Sequence, residues 1–164
     1  MDHHLPSCSS VPSVIPPSGR LLGVDFGTRR VGLSVSTFDQ TIASPLSIYT
    51  RCHEQQDARY FIKLIEEYQI RAVILGLPIH MNGNEGQKAR EARQYGQWLG
   101  RISQLPVDFW DERFTSAVAE DFMIEVDLTR EQRKKRVDMV AAQILLQSYL
   151  DHRLKSRETS LPSA

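Results

Sequence analysis

The chain has 164 residues, enough for one domain with a normal core and too few for a second of ordinary size. Apolar residues make up 41% and charged residues 24%, and 20 basic residues balance 20 acidic ones. A formal net charge of zero argues against a passive coat for nucleic acid, which is usually basic, but accommodates an acidic site with a local basic patch. Cys8 and Cys52 form no CxxC pair, so neither a disulfide framework nor a zinc pattern is expected, and a reducing compartment fits. No apolar run is long enough to cross a bilayer, and the first residues lack the basic and apolar regions of a secretion signal. A cytoplasmic protein without a membrane partner is therefore expected.

Residues 1–19 hold four of the eight prolines and are rich in serine, so a disordered tail is expected there. The folded domain is expected over 20–153, followed by a flexible tail over 154–164. RLLGVDF, RVGLSVS and SPLSIY are rich in strand formers and separated by short turns, which predicts three antiparallel strands. In residues 54–69 the apolar positions switch to helical spacing. AVILGLP (72–78) reads as a buried central strand closed by Pro78. Residues 85–104 predict a helix, with Asn84 and Gln87 as its capping box, and VDFW (107–110) a short strand. Residues 116–125 and 130–152 predict helices, the second capped by Thr129 and Gln132. Three antiparallel strands followed by βαβα give an α/β fold. Its mixed five-stranded sheet would carry helices on both faces and bind ligands at the carboxyl edge of its parallel strands.

Three carboxylates converge on that edge. Asp25 ends the apolar strand Leu21–Val24 and precedes a Gly-Thr turn. Glu112, in WDERFTS, follows the last strand, with the adjacent Asp111 as its rival. Asp138 borders the stripe Val137, Val140, Ala141, Ile144, Leu145 and Ser148, where a carboxylate needs a cation or hydrogen bonds to offset its desolvation. Such a set suits hard divalent ions, Mg2+ or Mn2+, and two ions about 3.5–4 Å apart can activate a water and stabilise a leaving oxygen. The candidate catalytic and metal-binding residues are thus Asp25, Glu112 and Asp138. Arg29, Arg30, Arg113, Lys134 and Lys135 flank them as candidate nucleic-acid contacts, Lys134 and Lys135 lying in the basic run Arg130–Arg136. His80, alone on its loop, stays outside the catalytic set.

The segments LLGVDFGTRRVGLSVS, VILGLPIHMNG, VDFWDERFTS and KRVDMVAAQILLQSYLD, in this order and spacing, resemble the YqgF family, also called RuvX, over about residues 20–153. The resemblance implies a ribonuclease H-like fold related to Holliday-junction resolvases and a cytoplasmic nuclease that matures the 5′ end of pre-16S ribosomal RNA. It also places family acidic positions on Asp25, Glu112 and Asp138. Alternatives are a resolvase cutting branched DNA, which would act as a homodimer, and a non-catalytic RNA-binding assembly factor. VDFGTRRVG also resembles the phosphate loop of actin-like kinases, which need a second such domain. For the nuclease, either a monomer or a homodimer is compatible with the sequence.

Overall fold

The computed structural model describes residues 14–114 and 129–160. Strands β1 (Arg20–Asp25), β2 (Arg30–Ser36) and β3 (Ala43–Thr50) lead into helix α1 (Glu54–Tyr68). Strand β4 (Ile70–Leu77), helix α2 (Gln87–Ser103) and strand β5 (Val107–Asp111) follow. A 3-10 turn (Glu112–Phe114) and, after the break, helix α3 (Arg130–Thr159) complete the described elements. The expected helix over 116–125 lies outside the described residues. The five strands form one sheet in the order β3-β2-β1-β4-β5. Neighbours are antiparallel among β1, β2 and β3 and parallel from β1 to β4 to β5, as expected. The carboxyl ends of β1, β4 and β5 therefore share one edge.

Alternation along the strands gives the sheet two unlike faces. Leu22 and Val24 of β1, Val31 and Leu33 of β2, and Val73, Leu75 and Leu77 of β4 pack under α1 and α2, with Phe61, Tyr95 and Leu99. The opposite face carries Leu21, Ala72 and Ile74 under Leu145, Leu146, Tyr149 and Leu150 of α3. The same alternation puts Gly23, Gly32 and Gly76 on this second face, so the α3 backbone can lie close to the sheet. A Cβ on Gly32 would stand 2.6 Å from the Asp138 carbonyl oxygen, and one on Gly23 would stand 2.8 Å from Leu146 Cβ. The buried Ser34 hydroxyl donates to the Ala142 carbonyl (2.7 Å), and Gln147 accepts from the Ala43 N–H (2.8 Å) and donates to the Thr41 carbonyl (2.9 Å). On the same face at the β5 edge of the sheet, Tyr149 Oη donates to Asp108 (2.9 Å). Among the described residues, no helix is long and apolar enough to cross a membrane.

Several boundaries differ from the sequence-based ones. Residues 14–18 are not free tail. Ile15 packs under α3, the Pro16 carbonyl accepts from Gln40 Nε2 (3.0 Å) and Arg153 (3.3 Å), and the Pro17 carbonyl accepts from Arg157 (3.1 Å). The same two arginines lie on turns of α3 beyond residue 152, which the helix needs in order to reach that segment. It therefore runs to Thr159 instead of ending where a flexible tail was expected. Residues 1–13 and 161–164 of the expected tails lie outside the described residues. The capping box Asn84–Gln87 does not form: the Asn84 N–H donates to Asn82 Oδ1 (3.0 Å) in a turn through Gly83 (φ 86°), and Gly86 becomes the N-cap. The Thr129–Gln132 box forms as expected.

Gly32→Ala should destabilise the fold by about 1–3 kcal/mol in urea unfolding, because the methyl group meets backbone that cannot yield without lifting α3. Unchanged stability would show that α3 is not seated on this glycine.

Candidate active site

Asp25 is the last residue of β1, and its register partner is Gly32. It follows Leu21 and Gly23 on the α3 face, directly beneath the turn of α3 that carries Asp138. Glu112 opens the 3-10 turn after β5, and its Oε1 lies 2.5 Å from where a Cβ on Gly76 would stand. Bare backbone at position 76 is thus what admits the Glu112 side chain over β4 towards β1. There it hydrogen-bonds Asp25. Asp138 faces Asp25 closely enough for its charge to act on that carboxyl. The structure therefore brings together all three acids singled out in the sequence, from one strand end, one turn and one helix.

Crowding changes their acidity. Burial raises Asp25 to about 6, with the Asp138 charge adding to the rise and the Glu112 hydrogen bond opposing it. Burial also raises Glu112 to about 7, helped by the Asp25 charge and by their shared hydrogen bond. A hydrogen bond between two carboxyls needs one of them protonated, so the Asp25–Glu112 pair holds a shared proton. The rivalry between Asp111 and Glu112 has a geometric answer. Asp111 accepts from the Arg113 guanidinium (2.8 Å from Nε and 2.6 Å from Nη2 to Oδ2) and from the Arg113 backbone N–H (3.0 Å), which hold its carboxyl below the usual range, and it is Glu112 that meets Asp25.

The expected basic contacts divide. Arg30 is engaged: its guanidinium lies 3.2 Å from the Asp138 carboxylate. Arg113 is likewise engaged by Asp111. Both were read from the sequence as groups offered to a phosphate backbone, and both are first partners of nearby acids, because charged neighbours at a half-buried edge pair before they face water. Arg29 on the β1–β2 turn and Lys134 on α3 are exposed, as that reading requires. The Lys135 side chain lies outside the described residues. Beside Glu112 opens a cavity of about 510 Å3 whose lining includes His80, Lys88 and Arg113.

Two residues absent from the sequence reading shape the site. Arg51 donates to the Thr28 carbonyl (3.2 Å) and its N–H donates to the Arg29 carbonyl (2.9 Å), fixing the turn behind Asp25. Ser34 fixes α3 through Ala142. Nothing local marks either one, since each acts on a segment distant in sequence.

A "Putative pre-16S rRNA nuclease" of Rhodopirellula baltica is 42% identical over 136 residues, covering 83% of this chain and 79% of that protein. A protein of the same name from Syntrophomonas wolfei is 40% identical over 132 residues, covering 80% and 94%. Among solved structures, Thermus thermophilus RuvC in complex with Holliday junction substrate aligns over 83% of this chain and 96% of that one (TM-score 0.50, 14% identity). Fowlpox virus resolvase with Holliday junction DNA aligns over 82% and 99% (TM-score 0.52, 14% identity). At such identity these two likenesses carry the fold alone, and that fold is ribonuclease H-like. The family model described as "RuvX: Holliday junction resolvase" matches residues 19–152, nearly the whole described domain, and with relatives this similar over most of its length the chain belongs to the RuvX family.

Proposed function

We propose that this chain is a metal-dependent nuclease that hydrolyses phosphodiesters in the 5′-end processing of pre-16S rRNA in the cytoplasm, with Asp25, Glu112 and Asp138 as its metal-binding catalytic residues. The observation that carries the reading is the convergence of these carboxylates at the carboxyl edge of the parallel strands, where Asp25 and Glu112 crowd so closely that one retains a proton near neutral pH. The pre-16S substrate comes from the names of the relatives.

The donor set fits Mg2+ or Mn2+: it is all carboxylate oxygen, and a divalent cation would replace the proton as the element that reconciles Asp25 with Glu112. Among the described residues, no three potential ligands already stand in metal-binding reach of one another, and Asp138 is drawn towards Arg30. Arg30 would therefore release Asp138 when a cation arrives, and would then be free to hold a substrate phosphate. Bound ions would supply a nucleophilic water at neutral pH and charge for the leaving oxygen. The protein would hold the strand: Arg29, next to Arg30, and Lys134, one turn before Asp138, are exposed, and Glu112 is poised to exchange a proton at its Oε atoms. A resolvase acting on branched DNA is the second reading, favoured by the family model's description as a Holliday junction resolvase.

Cleavage of a labelled pre-16S 5′-leader RNA and of a four-way DNA junction, each with Mg2+ or Mn2+, tests both readings. Wild type should cut the leader, and Asp25→Asn should cost about 100-fold or more, the scale of losing a group that acts directly on transition-state charge. Junction cutting alone would favour the resolvase, and undiminished cutting by the variant would remove the proposed site.

Because both pKa values are raised above those of the unfolded chain, the pair stabilises the metal-free fold at low pH. That contribution is lost as pH climbs from about 4 towards 7. Asp25→Asn should therefore gain melting temperature relative to wild type as pH rises, and Mg2+ at pH 8 should raise the melting temperature of wild type more than that of the variant. Parallel melting curves across pH would contradict the shared-proton arrangement.

A further inference from the structure

The cavity of about 510 Å3 beside Glu112 collects basic side chains in a protein of zero net charge. His80 of the β4–α2 loop, Lys88 of the first turn of α2 and Arg113 of the 3-10 turn all line it. All three residues are exposed, so a ligand can reach them from solvent. Among the described lining residues Glu112 is the one acid, and it belongs to the carboxylate set. A larger cavity between α1 and α2, about 550 Å3, has the opposite balance: Glu54, Asp57 and Glu91 against Arg51 and Arg101.

The basic groups are held in place. Ile79 bridges to Glu85 across the loop, the His80 N–H donates to the Asn84 carbonyl (3.0 Å), and the Gly83 N–H donates to the His80 carbonyl (2.8 Å). The imidazole lies against bare backbone, since a Cβ on Gly86 would stand 2.6 Å from His80 Nε2. Arg113 gives Nε and Nη2 to Asp111. Its Nη1 takes no part in that pairing and lies 3.9 Å from where a Cβ on Gly83 would stand, so Arg113 spans from the turn to the loop. Glu85, the acid of the loop, is turned onto Arg93 (2.7 Å).

An ammonium, a guanidinium nitrogen and an imidazole, brought by three elements to one concave surface, suit an anion with several acceptor oxygens. A strand bound at Asp25 and Glu112 carries such an anion at every nucleotide, and Glu112 lines both the cavity and the carboxylate cluster. We propose that this cavity seats a backbone phosphate of the bound strand, next to the one held at the carboxylates, through Lys88, His80 and Arg113 Nη1. The inference rests on the nuclease reading for the strand at the carboxylates, and on the cavity alone for the phosphate. His80, which the sequence leaves without a role, becomes a substrate contact.

Each phosphate neutralised by a protein cation releases counterions, so the salt dependence of binding counts such contacts. Binding of a short unstructured oligoribonucleotide to full-length protein is measured in chelating buffer over a range of salt. Wild type is compared with Lys88→Ala, His80→Ala and Arg90→Ala. Arg90 is the control: it is exposed, on the same end of α2, and not part of the lining. Lys88→Ala should weaken binding about tenfold at low salt and shrink the slope of log affinity against log salt by about 0.7, one single-strand contact. His80→Ala should weaken binding at least threefold, and Arg90→Ala less than twofold with the slope unchanged. An unchanged slope in Lys88→Ala, or equal losses in Lys88→Ala and Arg90→Ala, would overturn the proposal. The Lys88→Ala loss together with no cleavage by wild type would defeat the nuclease reading and leave the phosphate seat standing. Cleavage by wild type with binding unchanged in Lys88→Ala would do the reverse.

Discussion

Helix α3 can reach the sheet only because the strands beneath it present glycine and serine. The Asp138 carbonyl sits where a side chain at Gly32 would stand, and Ser34 ties the next turn of the helix to β2. That contact places Asp138 over Asp25, while the bare backbone of Gly76 admits Glu112 from the other side. Large residues at 32 and 76 would leave the strands intact and the three carboxylates apart. The small-residue face thus serves the site as much as the fold, and the large apolar residues of the opposite face carry most of the core.

Gathering acids at a partly buried edge is unfavourable, and the structure offsets it in three ways. Glu112 and Asp25 share a proton. Arg30 neutralises Asp138, and Arg113 draws Asp111 aside so that it adds no fourth close negative charge. The first two are reversible, which is what a cation site that must also load and release substrate requires. The third is fixed by hydrogen bonds from both the guanidinium and the backbone N–H of Arg113 and acts as scaffolding.

Much of this was legible in the sequence because it depends on local pattern. Leu21–Val24 and Ala72–Leu77 read as buried strands and are so, and an acid at the end of a buried strand stands out. The phase of α3 was half legible. Ile144 and Leu145 are buried as expected, but the stripe continues through Ala142, Leu146 and Tyr149, while Val137, Val140 and Ala141 are only partly covered. Asp138 therefore lies in line with the buried stripe and does not merely border it. The helix offers apolar residues on more than one side, and the glycines of the sheet, not the helix, decide which side docks. The pairing of Arg30 with Asp138 was equally invisible: the two are distant in sequence and meet only after α3 docks.

The central claim is that Asp25 and Glu112, with Asp138, exchange a shared proton for a divalent cation. Calorimetric titration with Mn2+ at pH 6.5, repeated in two buffers of different ionisation enthalpy, measures cation affinity and proton release together. The account predicts binding by wild type with release of about one proton, abolished in Glu112→Gln and retained in Asp111→Asn. Equal affinity in wild type and Glu112→Gln, or binding without proton release, would contradict it.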